Sequence, residues 1–179
     1  MTAKTHILGG ILAGELVCIA GISTAVSAPA LLAGAVAGSL LPDIDHRGSK
    51  ISRSGAAGRV ASLAVSAVTT HRGVIHTPAF ILALGAVLGA ASFFADWTLG
   101  PALLLGLMVG MLSHLVLDTL NPSGIMWFWP ISRKRFHLAS IRTNSLFEWV
   151  TATALLALDA WLAADCLPQL ADEIGQIIG

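Results

Sequence analysis

His114 and Asp118 stand four residues apart in Ser113-His114-Leu115-Val116-Leu117-Asp118. They close a run from Trp97 to Leu117 that contains no Asp, Glu, Lys or Arg. On a helix this spacing puts both side chains on one face, one turn apart. An imidazole and a carboxylate so placed can hold one cation between them. Polar groups at the end of an apolar helix of membrane length cost free energy unless paired, which invites a functional reading beside the plain one of a tidied helix end, and the other histidines and aspartates tip the balance. The same residue types recur at His6, at Asp43-Ile44-Asp45-His46 after Pro42, and at His71-Arg72-Gly73-Val74-Ile75-His76. His71 and His76 are five apart and share no helix face, so they converge only if Gly73 marks a bend. His46 and His137 lie in basic loops, where solvated histidines are common. Glu15, inside an apolar run, reads as a helix-packing residue.

Imidazole and carboxylate donors suit Zn²⁺, with Mn²⁺ or another divalent ion where carboxylates are many. The expected ligands are His6, Asp43, Asp45, His71, His76, His114 and Asp118, more than the four that one zinc needs, so the expectation spans one to three ions. Such a centre activates water near neutral pH and stabilises both oxygens of an in-line displacement at phosphorus. One of Asp43 and Asp45 is expected as base and Arg72 as the group facing the phosphoryl oxygens. Arg47, Lys50 and Arg53 fit an anionic lipid head group, as Arg72 also does.

Positioning these residues is a task for membrane helices. The chain has 179 residues, 55% apolar and 11% charged, with zero net charge. Its mean hydropathy is +0.80. Soluble domains carry roughly 25% charged residues, which excludes an ordinary soluble fold. We expect a single all-α domain, a polytopic membrane bundle with spans at roughly 6–23, 25–41, 77–95, 100–120 and 145–164. Thr77-Pro78 reads as an N-cap followed by proline at the first helical position. A short interfacial helix is expected over 59–70, and another on the membrane surface from Leu167. Met126-Trp127-Phe128-Trp129-Pro130 reads as an aromatic anchor. Lys4 with the run to Ala25-Val26-Ser27-Ala28 has the outline of a cleavable signal, but the basic head is thin and Pro29 would follow the cut. Cys18 and Cys166 match no metal or redox spacing and read as packing residues.

All ten Lys and Arg residues fall at Lys4, between spans two and three, and between spans four and five. Five alternating spans place these segments on one side, so the positive-inside rule predicts a cytoplasmic N-terminus and an outward C-terminus. The six histidines fall on that same cytoplasmic side.

The combination LLPDIDHRGS, HRGVIHTP and SHLVLDTLNPSG leading into FWPISRKRF resembles the YdjM family of bacterial inner-membrane proteins. The resemblance covers the chain from His6 to about Arg142. That family is described as membrane-bound metal-dependent hydrolases, some members being controlled by the DNA-damage repressor LexA, and is grouped with the zinc-dependent phospholipase C and P1 nuclease superfamily. The resemblance implies a helical bundle in which His6, Asp43 or Asp45, His71 or His76, and His114 with Asp118 hold zinc. A second His-x-x-x-Glu/Asp pair, present in the soluble enzymes, is missing here, which favours one or two ions over three. The expected function is hydrolysis of a phosphoester on a lipid or lipid-linked substrate, with membrane lipids as surroundings and nucleic acid not favoured. The alternative is a metal transporter or metal sensor without hydrolytic activity. A transporter would place its ionisable groups near the midplane of repeated halves, whereas these cluster at one edge.

Overall fold

The computed structural model describes residues 1–20, 27–45, 73–95, 97–98 and 100–178, with 44–45 and 167–178 entering as backbone alone. The chain is an all-helical bundle. Its helices are α1 (Ala3–Ile19), α2 (Ala28–Leu40), α3 (Pro78–Phe94), α4 (Gly100–Asp118) and α5 (Leu146–Ile178). Short 3₁₀ turns follow α2 (Leu41–Asp45) and precede α3 (Val74–His76). No strand occurs among the described residues; one isolated bridge joins Ile125 and Phe136. The expected N-cap is present: the Thr77 hydroxyl accepts from the Phe80 N–H at 3.2 Å, and Pro78 opens α3 where its missing N–H costs nothing.

The central contact is α2 against α4. Gly34 and Gly38 on α2 face Gly106 and Gly110 on α4, a small-xxx-small pattern on both partners. A methyl group at Gly38 would strike the Leu107 carbonyl oxygen, and one at Gly110 the Ala35 carbonyl oxygen. The two backbones therefore meet directly, with no side chain between them. α1 packs against α2, α4 and α5, and α3 against α4.

Beside an apolar core of Ile81, Met111, Leu115 and Ile125, the bundle buries polar groups and exposes large apolar ones. His6, His76, His114, Asp118, Ser39 and Glu148 are buried, while Leu82, Val87, Phe93, Phe94, Trp149 and Trp161 are exposed. A lipid surround explains both: apolar side chains are stable facing outward, and polar ones must meet each other. Two helices, Gly100–Asp118 and the Leu146–Cys166 part of α5, are long and apolar enough to cross a bilayer, and α2 and α3 are shorter apolar helices.

The C-terminal segment corrects one expectation. No separate surface helix begins at Leu167; α5 runs unbroken over 33 residues to Ile178. Pro168 removes one N–H, but good helix formers on both sides carry the helix through it. The expected interfacial helix over 59–70 lies outside the described residues.

Candidate metal centre

Four elements bring the donors together at one end of the bundle. His6 sits in the first turns of α1, Asp43 in the 3₁₀ turn after α2, His76 in the turn before α3, and His114 with Asp118 in the last turns of α4. His6 Nε2 lies 3.5 Å from Asp118 Oδ1. His114 Nε2 lies 3.7 Å from Asp118 Oδ2 and 3.8 Å from Asp43 Oδ1. His76 Nε2 lies 3.7 Å from the same Asp43 oxygen. The rings of His6 and His114 stack with centroids 3.8 Å apart, and His76 meets His114 edge-on at 5.3 Å.

These residues fit a divalent ion. His6, His114 and Asp118 form one group of donor atoms, and Asp43, His76 and His114 a second, each within 4.8 Å throughout. Donors around a tetrahedral zinc, each about 2.0–2.2 Å from it, lie roughly 3.3–3.6 Å from one another. Small side-chain movements therefore close either group. Nδ1 of His6 and Nε2 of His114 are buried without a hydrogen-bond partner among the described residues. Buried polar atoms are rarely left so, because each costs its full desolvation.

A backbone carbonyl of α2 fixes what His114 offers. Its Nδ1 lies 2.7 Å from the Ser39 carbonyl oxygen. A carbonyl only accepts, so Nδ1 carries the proton and donates, leaving the Nε2 lone pair aimed at both carboxylates. That nitrogen is common to both donor groups, and one lone pair serves one ion. The two groups are thus two sides of a shared centre, not independent three-donor sites. Asp118 Oδ1 accepts from the Met1 amino group at 3.1 Å and from the Asn121 amide. Asp43 is the most open donor, its side chain 25% exposed. Burial opposes ionisation of Asp43, but the hydrogen bond from His76 and the nearby His114 and His6 outweigh it and hold its carboxyl well below the usual range.

Of the expected site residues, the structure gathers His6, Asp43, His76, His114 and Asp118. His71, Arg72, Arg47, Lys50 and Arg53, and with them His46, lie outside the described residues; Asp45 is described as backbone alone. His137 is exposed on its loop, apart from both donor groups.

Three supporting residues escaped the sequence reading. Ser39 contributes its backbone carbonyl, which no side-chain pattern reveals. Asn121 had a signal, three residues past Asp118, but read as a turn. Glu148 stands in a Ser145-x-x-Glu148 capping box, with its N–H on the Ser145 hydroxyl at 3.3 Å. Its buried carboxylate is nevertheless turned elsewhere. Oε1 accepts from the Thr5 hydroxyl at 3.0 Å and from the Thr2 N–H, and Oε2 from the Asn144 N–H at 2.6 Å. Glu148 thereby clamps the first turn of α1, which carries Met1 and His6. Glu148→Ala is expected to weaken metal retention by up to about 10-fold, the low end of what loss of a partner bonded directly to a ligand costs, because it loosens the turn that carries His6. Titration of the metal-free protein against a chelating dye checks this, with far-UV circular dichroism confirming retained helix.

Trp127 has a local partner as well as its place in the aromatic segment. Its indole donates to the Thr119 hydroxyl at 2.9 Å, just past the end of α4. The loop after α4 returns to the same place, where the Leu138 N–H donates to the Thr119 carbonyl and the Ile141 N–H to the Leu120 carbonyl, each at 2.9 Å. The base of the centre is therefore braced from below.

Comparison with known proteins agrees with this architecture. The model of the YdjM inner membrane protein family matches residues 1–171. YvsG of Bacillus subtilis (strain 168), an uncharacterized protein, is 38% identical over 158 residues, covering 87% of this chain and 89% of the relative. The inner membrane protein YdjM of Escherichia coli (strain K12) is 30% identical over 176 residues, covering 90% of this chain and 83% of the relative. No solved structure matches. On these matches the chain belongs to the YdjM family of inner membrane proteins.

Proposed function

We propose that this protein is a metal-dependent hydrolase of the bacterial inner membrane that cleaves a phosphoester on a lipid or lipid-linked substrate at the cytoplasmic face. The observation that carries the reading is the convergence of five donors from four separate elements on one buried centre. Zn²⁺ is the first choice of ion, with Mn²⁺ the alternative, and one ion per chain satisfies the shared His114 nitrogen. A bound divalent ion supplies Lewis-acid polarisation of a phosphoryl oxygen and lowers the pKa of water.

The chain's own residues do the rest. Ser39 holds His114 in one tautomer. Asn121 and Met1 orient Asp118. Asp43, the most open of the five, is held ionised by its histidine neighbours and so suits an ion, and the part of base is assigned to Asp43 or Asp45 on sequence grounds. Arg72 is assigned to the phosphoryl oxygens, and Arg47, Lys50 and Arg53 to an anionic head group, on sequence grounds. The charge distribution supports an N-terminus in the cytoplasm and a C-terminus outside.

Two measurements test this. Purified protein is expected to contain about one Zn²⁺ or Mn²⁺ per chain, the stoichiometry of a shared centre; protein prepared without chelators that holds none would remove the basis of the reading. The loaded protein is expected to hydrolyse phospholipid or a model phosphodiester in mixed micelles, and chelation to abolish turnover until metal is restored. Metal uptake into proteoliposomes without hydrolysis would favour transport instead.

A further inference from the structure

The seam between α1 and α5 carries a second polar set, far from the metal centre. Glu15 and Cys18 lie three residues apart on α1, and Asp159 and Cys166 seven apart on α5, so each pair shares a helix face. All four are buried, Cys18 at 9% exposure and Cys166 at 2%. The two cysteines lie in one packed cluster with Ala28, the first residue of α2, and both are buried as thiols. They are the only two cysteines in the chain.

Their position along the bundle matters. α1 and α5 both start at the metal-centre end, where Thr2 and Thr5 meet Glu148. Cys18 is thirteen residues beyond Thr5, so the thiols lie about 20 Å further along the helix axis, toward the opposite membrane face. In the topology of the proposed function, on which this inference rests, that face is the outer one. Disulfides form and persist in that compartment.

We propose that Cys18 and Cys166 are joined in a disulfide that staples the first helix to the last. Two cysteines packed in one small cluster between adjacent helices need little movement of those helices to bond. The oxidant is a disulfide-bonded donor protein. Cys18, the less buried residue, loses its proton and attacks a donor sulfur, expelling one donor thiolate. Cys166 loses its proton and attacks Cys18 of the mixed disulfide, expelling the second. Two electrons and two protons pass to the donor, which leaves as a dithiol. The bond closes nearly the whole chain into a loop, the case in which a cross-link restricts the unfolded state most.

The test is thiol labelling of the full-length protein from membranes, acid-quenched and denatured in N-ethylmaleimide, with intact mass read before and after reduction. The expected result is no adduct without reductant and two after it. Cys18→Ser is expected to show one adduct, on Cys166, without reductant; no adduct on that variant would overturn the pairing. Two adducts on the unreduced natural protein overturn the disulfide. Alkaline phosphatase fused after Gly179 separates the causes: an active fusion with two adducts overturns the disulfide alone, and an inactive one overturns the topology with it.

Discussion

His114→Ala is expected to abolish metal retention and, with it, any hydrolysis. No other side chain belongs to both donor groups. Its Nε2 is held between Asp43 and Asp118, at 3.8 and 3.7 Å, and the backbone of α2 fixes the ring through Ser39. Losing it leaves His6 and Asp118 on one side and His76 and Asp43 on the other, two donors each. An affinity loss of at least about 100-fold is expected, since outer-sphere changes alone reach that size. Metal content after dialysis against a mild chelator reads it directly. Asp118→Ala is expected to act in the same direction and to release the Met1 amino group and Asn121 besides. His137→Ala is the control: an exposed loop histidine outside both groups leaves metal content unchanged.

The second large effect comes from residues with no side chain. Gly38→Leu is expected to destabilise the bundle by at least about 3 kcal/mol, the upper end for overpacking, because the obstruction is backbone and not a side chain that can turn aside. The Leu107 carbonyl stands where the new Cβ must go, so α2 and α4 must separate. Separation also draws Ser39, the next residue, away from His114. The variant should therefore lose metal as well as stability, although it touches no donor. Gly110→Ala is expected to follow it in milder form, striking the Ala35 carbonyl. Gly89→Ala provides the contrast. Its methyl would meet only the Leu104 side chain at an ordinary 3.5 Å. Relief of glycine's backbone freedom should leave that variant neutral or more stable by about 0.5–1 kcal/mol. Thermal unfolding in detergent ranks the three, with metal analysis on the same samples.

What the sequence discloses follows a physical division. Helix positions were readable because lipid demands uninterrupted apolar runs: α3 and α4 begin and end within two residues of the expected spans. The gathering of donors at one end was readable because each histidine and aspartate in question adjoins the end of an apolar run. The tail of α5 is hard to read because a proline and two acidic residues look like a membrane boundary, whereas the helix continues through them to Ile178. The supports were hidden for a different reason. Ser39 acts through its carbonyl, Asn121 doubles as a turn residue, and Glu148 satisfies a local capping rule while its carboxylate serves a distant helix. The interlocking glycines were visible as small residues, but which helix each one met was not. Pairing of α2 with α4 is a tertiary fact that spacing within one helix does not encode.

The length of α5 has a geometric consequence. Its 33 residues make a rod of about 50 Å, against roughly 30 Å of hydrocarbon. Even a tilt of about 40° leaves it spanning some 38 Å, so leaning does not absorb the excess. The helix is therefore longer than one crossing requires, and its surplus turns continue the same backbone that begins beside Glu148, whose carboxylate holds the start of α1.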